Sequence, residues 1–425
     1  MDDRIKKLPQ RLKYHLVERY TKIKLSPVAK FSCVVIFFEL IYWVIMIFTR
    51  SAWLTSYFVD DQFDTSMDYF NMLANLWKGN PYKAYANYPP LVFLILRGLY
   101  HMVPLLPEGG DGKFLRNFEP AQLGYTLVLL FCVITIYELA QLGLNGKNKI
   151  ECKLFAIAII LSGPFLFAIE RGNFIILSFV FLLIYLETYD NENISIRVLS
   201  YIALAISASI KIYPAVFGLL IIDKKRYKEV GTAILIGILS FFGPFLFFKG
   251  FTDLKRMIQG IGLSGDIANA VGTGYNFSLA NLFRIVGVLF GEEIELNTYL
   301  ILVIAIIVPL FIFIFSQEEW EKLFALGLMC IWVPQFSYTY SLLFLIPSVI
   351  NYFNHINSLP SKRNHIFEFY FGVLIVPLAL PLLQKNTDIK FALSWSTFAI
   401  NTIIVAIVVS LICRIVRNYI KIIKK

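Results

Sequence analysis

Charge is scarce in this chain. Only 16% of its 425 residues are Asp, Glu, Lys or Arg, against about a quarter in an ordinary soluble domain, and no non-apolar stretch is longer than about 40 residues. That leaves no room for a soluble domain of any size. The five cysteines (Cys33, Cys132, Cys152, Cys330, Cys413) lie in or beside apolar runs at unrelated spacings, which gives neither a disulfide framework nor a zinc pattern. The four histidines (His15, His101, His355, His365) are scattered, so no metal site and no cofactor is expected. There is no phosphate-binding Walker loop, no nucleophile elbow, no HExxH and no haem attachment signature, which argues against a nucleotide-hydrolysing transporter. No fixed-period repeat is present, and no small-residue cleavage site follows the first apolar core.

What the chain has is apolar length. Hydrophobic residues make up 58% of it, including 39 phenylalanines and 23 tyrosines, and mean hydropathy is +0.67. Apolar runs of about 15 to 25 residues recur between residues 30 and 413, the pattern of a polytopic all-α membrane protein. We count about 12 transmembrane helices in a single integral membrane domain, 1–425. The net charge of +10 sits mostly at span ends, where basic residues orient helices and meet membrane lipid; it does not indicate nucleic acid. The basic amphipathic N-terminus (1–29), Lys147 to Lys153, Lys224 to Lys228, Lys362-Arg363 and the basic tail (414–425) all favour the cytoplasm. One conflict stands. Spans 30–49, 89–106 and 121–144 would put Lys147 outside, so either one of them is partial or the charge there misleads. The expected arrangement is a multi-pass protein of the cell membrane with both termini cytoplasmic. The first acidic loop (50–88) and a second large loop (250–297) are then extracytoplasmic.

Four polar constellations stand out. The first loop crowds Asp60, Asp61, Asp64 and Asp68 together. Asp61, Asp64 and Asp68 fall at i, i+3 and i+7, one face of a helix, beside an apolar stripe (Met67, Phe70, Leu73, Ala74, Trp77) suited to a surface-lying amphipathic helix that Gly79 ends. A carboxylate there could serve as a general base; the plainer reading is the ordinary acidic content of an outside loop, with Asp64 as a helix cap. Lys211 lies midway along an apolar run beside Pro214, at a cost of roughly 2.5–3.5 kcal/mol at a span centre. It suits a phosphate; the plainer readings are snorkelling or a structural ion pair. Glu170-Arg171-Gly172-Asn173 joins two spans with almost no loop. Arg171 could clamp phosphate and Asn173 bind sugar hydroxyls, or Arg171 could simply pair with Glu170. Lastly, in Gly272-Thr273-Gly274-Tyr275-Asn276-Phe277-Ser278, Asn276 or Ser278 could cap the next helix and leave N–H groups for an anion.

In their order these pieces resemble the GT-C superfamily of polyprenol-phosphate-sugar-dependent glycosyltransferases. The nearest group is the GT87-like family, which includes the phosphatidylinositol mannoside mannosyltransferases. The matching elements are Asp68-Tyr69, Gly79-Asn80-Pro81-Tyr82, Tyr88-Pro89-Pro90-Leu91, Arg171-Gly172-Asn173, Lys211-Ile212-Tyr213-Pro214, and Asn276-Phe277-Ser278-Leu279 with Arg284. The resemblance implies Asp68 as catalytic base. Asp64, Tyr69, Tyr82, Tyr88, Arg171, Asn173, Lys211, Asn276, Ser278, Arg284, Tyr338 and Tyr340 are then the candidate substrate-binding residues. Two departures are informative. Ser66 stands where related first-mannosyltransferases carry a second Asp, and Thr339 stands where the family often carries a late His.

The expected function is transfer of a hexose, mannose being the sugar of that nearest group, from a polyprenyl-phosphate-linked donor to a lipid-linked or cell-envelope glycan acceptor. A secondary transporter or a flippase for lipid-linked sugars is the alternative, since proline-broken spans and an intramembrane lysine fit both; a non-catalytic scaffold would not need the ordered polar set. Lys211→Met separates the first two. An enzyme loses sugar transfer and has no flux to lose, whereas a transporter loses uptake in sealed vesicles.

Overall fold

The structure, a computed structural model, describes residues 25–49, 65–101, 110–271, 276–290, 297–356, 365–376 and 395–423. All regular structure among them is helical. In chain order the helices are α1 (Pro27–Thr49), α2 (Met67–Trp77), α3 (Pro90–His101), α4 (Gly112–Arg116), α5 (Glu119–Leu142), α6 (Lys149–Ile160), α7 (Gly163–Arg171), α8 (Ile175–Thr188) and α9 (Ile194–Ile210). They continue as α10 (Leu219–Asp223), α11 (Tyr227–Phe242), α12 (Phe251–Val271), α13 (Leu279–Phe290), α14 (Thr298–Phe315), α15 (Glu319–Trp332), α16 (Ile346–His355), α17 (Ile366–Ile375) and α18 (Trp395–Ile423). Short 3-10 turns at Pro81–Ala84, Tyr213–Gly218, Gly243–Phe247 and Thr339–Leu345 interrupt the series. Three of the four carry a proline at or next to their first residue, where its fixed φ starts a turn and its missing N–H ends the preceding ladder.

Five of these helices are long and apolar enough to cross a membrane, six if the bent pair α6–α7 is one span. Pro90–His101, Ile175–Thr188, Ile194–Ile210 and Ile366–Ile375 are apolar but shorter. The expected count of about 12 counted apolar runs, and an apolar run broken by proline gives short pieces rather than a full span of about 20 residues. The membrane assignment itself rests on surface chemistry. On α11, Ile234, Leu235, Ile238 and Leu239 are all about half exposed or more. Such a continuous apolar face would be untenable in water and is what a bilayer requires.

Inside, neighbouring helices pack in pairs, with α8–α9, α9–α11, α5–α6 and α14–α15 among the closest. Polar glue joins the first pair: the Ser178 and Ser207 hydroxyls lie 3.0 Å apart, and Ser207 donates to the Ser178 carbonyl at 2.8 Å. Trp320 packs edge-on against Tyr352 and Phe367. Ion pairs gather at helix ends. Where α8 ends and α9 and α11 begin, Asp190 binds Lys224 and Arg226, each at 2.6 Å, and Arg197 grips Glu229 with two nitrogens at 2.7 and 2.9 Å. Lys322 reaches Asp223 at 2.6 Å and Arg414 reaches Glu321 at 2.9 Å at the same end. The C-terminal basic tail continues α18 as helix to Ile423.

The sequence-based picture of the first loop needs correction. The helix begins at Met67, not before Asp61, because Ser66 takes a left-handed backbone (φ 58°) and donates its N–H to the Glu170 carbonyl at 2.6 Å. Asp68 is therefore the second residue of its helix, and Asp60, Asp61 and Asp64 lie outside the described residues. The helix cap position is Ser66. Nor does the apolar side of α2 lie on a membrane surface: Tyr69, Phe70, Leu73 and Ala74 are buried inside the protein.

Close backbone approach fixes the late turn that enters the site. A Cβ on Gly327 of α15 would sit 2.3 Å from the Phe344 carbonyl oxygen. Gly327→Ala is expected to cost about 1–3 kcal/mol, the usual range for overpacking, read as a lowered thermal midpoint in detergent; an unchanged midpoint would contradict this packing.

Candidate active site

Asp68 sits in the first turn of α2, where the helix dipole favours a negative charge. Two side chains from the α7–α8 junction hold it. Arg171 donates to Oδ1 at 2.9 Å and Asn173 donates through Nδ2 to Oδ2 at 2.7 Å. Asn173 is itself fixed, its Oδ1 accepting the Ile175 N–H at 3.0 Å in a side-chain turn that leads into α8. Arg171 thus pairs with Asp68 across 103 residues, and not with its chain neighbour Glu170 as the simpler sequence reading had it. Gly172 between them adopts φ +61° against Ser66 and Tyr69. A left-handed turn that tight needs glycine.

Three further segments converge on this carboxylate. The α9 ladder stops at Lys211, which is extended, as the Lys211–Pro214 break led us to expect. Lys211 Nζ lies 4.1 Å from the centroid of the Tyr88 ring, a cation–π contact, and its charge acts on Asp68. Tyr88, buried before Pro89-Pro90, reaches Asn173 and also feels the Asp68 charge. From the 334–340 segment, Tyr338 and Tyr340 come within range of both Asp68 and Arg171. Their rings lie 5.5 Å apart, and Tyr340 stacks on Phe167 of α7 at 5.8 Å. Asp68 and Arg171 retain 21% and 19% side-chain exposure, so the pair is not sealed in the core. Burial pushes the Asp68 carboxyl above its ordinary range, while the Asn173 hydrogen bond and the Lys211 charge pull it back in part.

Other candidates are placed elsewhere. Tyr69 stacks on Phe174 at 5.4 Å and turns its hydroxyl to Tyr100. Tyr82 is fully buried against Phe93, Phe245 and Phe248, and donates to the Tyr88 carbonyl at 3.1 Å, bracing Tyr88 from behind. Asn276 accepts the Ser278 and Ser337 N–H groups and donates to the Gln335 carbonyl. Ser278 caps α13 through Asn281 and also donates to Gln335. These two therefore tie down the segment that carries Tyr338 and Tyr340, and the N–H groups beside them bind protein oxygens. Arg284 is half-buried on α13 and is not among the charges that shift Asp68. Thr339 is buried between the two tyrosines. Asp64 lies outside the described residues.

Sequence reading passed over Phe167 and Tyr213. Phe167 stands four residues before Arg171, on the same helical face, and Tyr213 lies within the Lys-x-x-Pro element and feels the same tyrosine cluster. Among the described residues no group of three or more His, Cys, Asp or Glu could hold a metal ion.

At Gly172 a Cβ would meet the Ser66 carbonyl oxygen at 2.9 Å and the Tyr69 Cβ at 3.1 Å. Gly172→Ala is expected to pry α7 from α2 and lower the thermal midpoint by the equivalent of about 1–3 kcal/mol; a midpoint equal to wild type would show the contact to be slack.

The profile of glycosyltransferase family 87 matches residues 88–337. That is more than half of the chain; it begins at Tyr88, takes in Arg171, Asn173 and Lys211, and leaves Asp68 just before it and Tyr338 and Tyr340 just after. No curated protein and no solved structure matches the chain. The chain belongs to glycosyltransferase family 87 and is a membrane glycosyltransferase.

Proposed function

We propose that the Asp68 cleft transfers a hexose, with mannose the first sugar to test, from a polyprenyl-phosphate-linked donor to a hydroxyl of a lipid-linked or cell-envelope glycan acceptor. The observation that carries this reading is the convergence of one carboxylate, two cations and three tyrosines from five separated chain segments around Asp68, which keeps part of its side chain exposed.

Asp68 accepts the proton of the acceptor hydroxyl as its oxygen attacks the anomeric carbon. The bond from that carbon to the donor phosphate breaks, its electron pair leaving with the phosphate, and the anomeric centre inverts in a single displacement. Arg171, held 2.9 Å from Asp68, brings to the leaving group a guanidinium, the side chain best matched to phosphate oxygens. Lys211 adds a second positive charge beside the leaving group. Preformed charges of this kind are among the larger contributions to rate in a water-poor site. Tyr88, Tyr338 and Tyr340 offer ring faces and hydroxyls to the sugar. The polyprenyl phosphate leaves as an anion that these cations receive, so the scheme requires no divalent metal.

The side of the membrane follows from charge. The ion-paired, lysine- and arginine-rich ends of α8, α9 and α11 belong at the cytoplasmic face by the positive-inside rule. The Asp68 cleft, at the opposite ends of α8 and α9, then opens extracytoplasmically.

Purified protein given a panel of polyprenyl-phosphate hexoses and a membrane-lipid acceptor extract should transfer from one donor, and Asp68→Asn should abolish that transfer while donor binding persists. Near-normal turnover in Asp68→Asn would remove Asp68 as the base. The pH profile gives a second check. A base works only when ionised, so the rate falls on acidification through the Asp68 pKa, which burial holds above the ordinary carboxylate range. Asn173→Ala removes a hydrogen bond that lowers that pKa, so the acid limb should move to higher pH. An acid limb that stays put, or moves down, would contradict it.

A further inference from the structure

The polar face of α2 does not end at Asp68. At 100° per residue, Asn71 and Asn75 fall on the same side of the helix as Asp68, at i+3 and i+7, with Lys78 one turn further. Tyr69, Phe70, Leu73 and Ala74 occupy the opposite, buried side. Asn71, Asn75 and Lys78 form one wall of a pocket of about 340 Å³, closed by Tyr85 and Asn87 from the segment after the 3-10 turn and by Asp111 at the start of α4. Along the helix axis its wall runs from Asn71, about 4.5 Å from Asp68, past Asn75, about 10 Å from it.

We propose that this pocket seats the hydroxyl-rich glycan portion of the acceptor, the helix face leading the hydroxyl to be glycosylated towards Asp68. The inference rests on the transferase reading of the Asp68 cleft and specifies its second substrate. Three observations carry it. The pocket has the lower-end volume of small-molecule sites, which run from about 300 to 1,000 Å³. Its uncharged polar side chains are Asn71, Asn75 and Asn87 beside Tyr85, and a carboxamide is both donor and acceptor, which suits adjacent hydroxyls better than a phosphate or an acyl chain; Lys78 and Asp111 offset one another in charge. The Asn71 and Asn75 carboxamides make no hydrogen bond to another side chain or backbone group among the described residues. Tyr85 stands at the rim, 49% exposed, in a left-handed conformation (φ 54°) that is uncommon for an aromatic residue. Its carbonyl is pressed against α12 so closely that a Cβ on Gly260 would lie 2.1 Å from it. The packing thus holds an exposed ring in place where a sugar can stack.

The test uses the full chain in nanodiscs, with Asp68→Asn as the background that stops turnover. Methyl hexosides and hexose disaccharides are the probes, and saturation-transfer NMR is the readout. Disaccharides should bind more tightly than monosaccharides, and Asn71→Leu with Asn75→Leu should weaken them about tenfold or more, equivalent to roughly 1.4 kcal/mol. In the active protein the same pair should raise the acceptor KM and leave the donor KM alone. Tyr85→Ala, at an exposed position, provides a second variant with the same expectation and an unchanged thermal midpoint. Sugar binding unaffected by either variant, or a raised donor KM, would overturn the inference. So would a wild-type chain that transfers sugar to lipid yet binds none of these saccharides. That last outcome leaves the transferase reading intact, whereas transfer surviving Asp68→Asn defeats the reading itself.

Discussion

Everything at the cleft depends on the clamp between α2 and the α7–α8 junction. Asp68 offers two oxygens, and Arg171 and Asn173 take one each. Beneath them the Ser66 N–H binds the Glu170 carbonyl, and Gly172 provides the left-handed turn that lets the two backbones touch. A partly buried carboxylate is costly unless it is hydrogen-bonded and paired. This one has both forms of compensation and keeps a face towards solvent. The same partners determine its orientation, its basicity and the place of a cation beside it. A structural ion pair needs no such cleft, no lysine across it and no tyrosine wall.

The remaining architecture distributes polarity along the helices. α8 begins just after Asn173 and ends just before Asp190; α9 returns from its cap at Asn193 to Lys211. Each crossing therefore carries the chain between an ion-paired end and the Asp68 end, with the serine contacts between the two helices near the latter. The late segment arrives in the same way: α15 starts beside the charged cluster and ends just before Tyr338. Asn276 and Ser278 then lock that segment by its backbone. Family membership and this geometry together favour a transferase over the transporter considered from sequence, because the polar groups that meet Asp68 gather at one end of α8 and α9 and not at their midpoints.

Much of this was legible in the sequence, for definite reasons. A lysine inside an apolar run, a proline after it and an Arg-Gly-Asn junction with no loop are each expensive or conspicuous in a membrane, so Lys211, Arg171 and Asn173 could be singled out, and the structure brings them to Asp68. Tyr88, Tyr338 and Tyr340 were reached through motif order. Other features were hidden. Whether a tyrosine faces a cleft or a core depends on what packs beside it: Tyr69 and Tyr82 carry the same side chain as Tyr88 but turn inward. Periodicity suggested a helix running through Asp61, Asp64 and Asp68, but a backbone hydrogen bond from Ser66 to a residue more than a hundred positions away starts the helix at Met67. The run of apolar segments likewise concealed where proline and 3-10 turns divide them into short helices.

One carboxylate acting as a base, with no covalent sugar–protein intermediate, has a stereochemical signature. The most direct measurement is therefore the anomeric configuration of the first-formed product, by NMR, against that of the polyprenyl-phosphate donor. Inversion is the outcome expected if Asp68 removes the acceptor proton in a single displacement. Retention would mean two displacements, with a side chain attacking the sugar itself, and would contradict the role assigned here to Asp68.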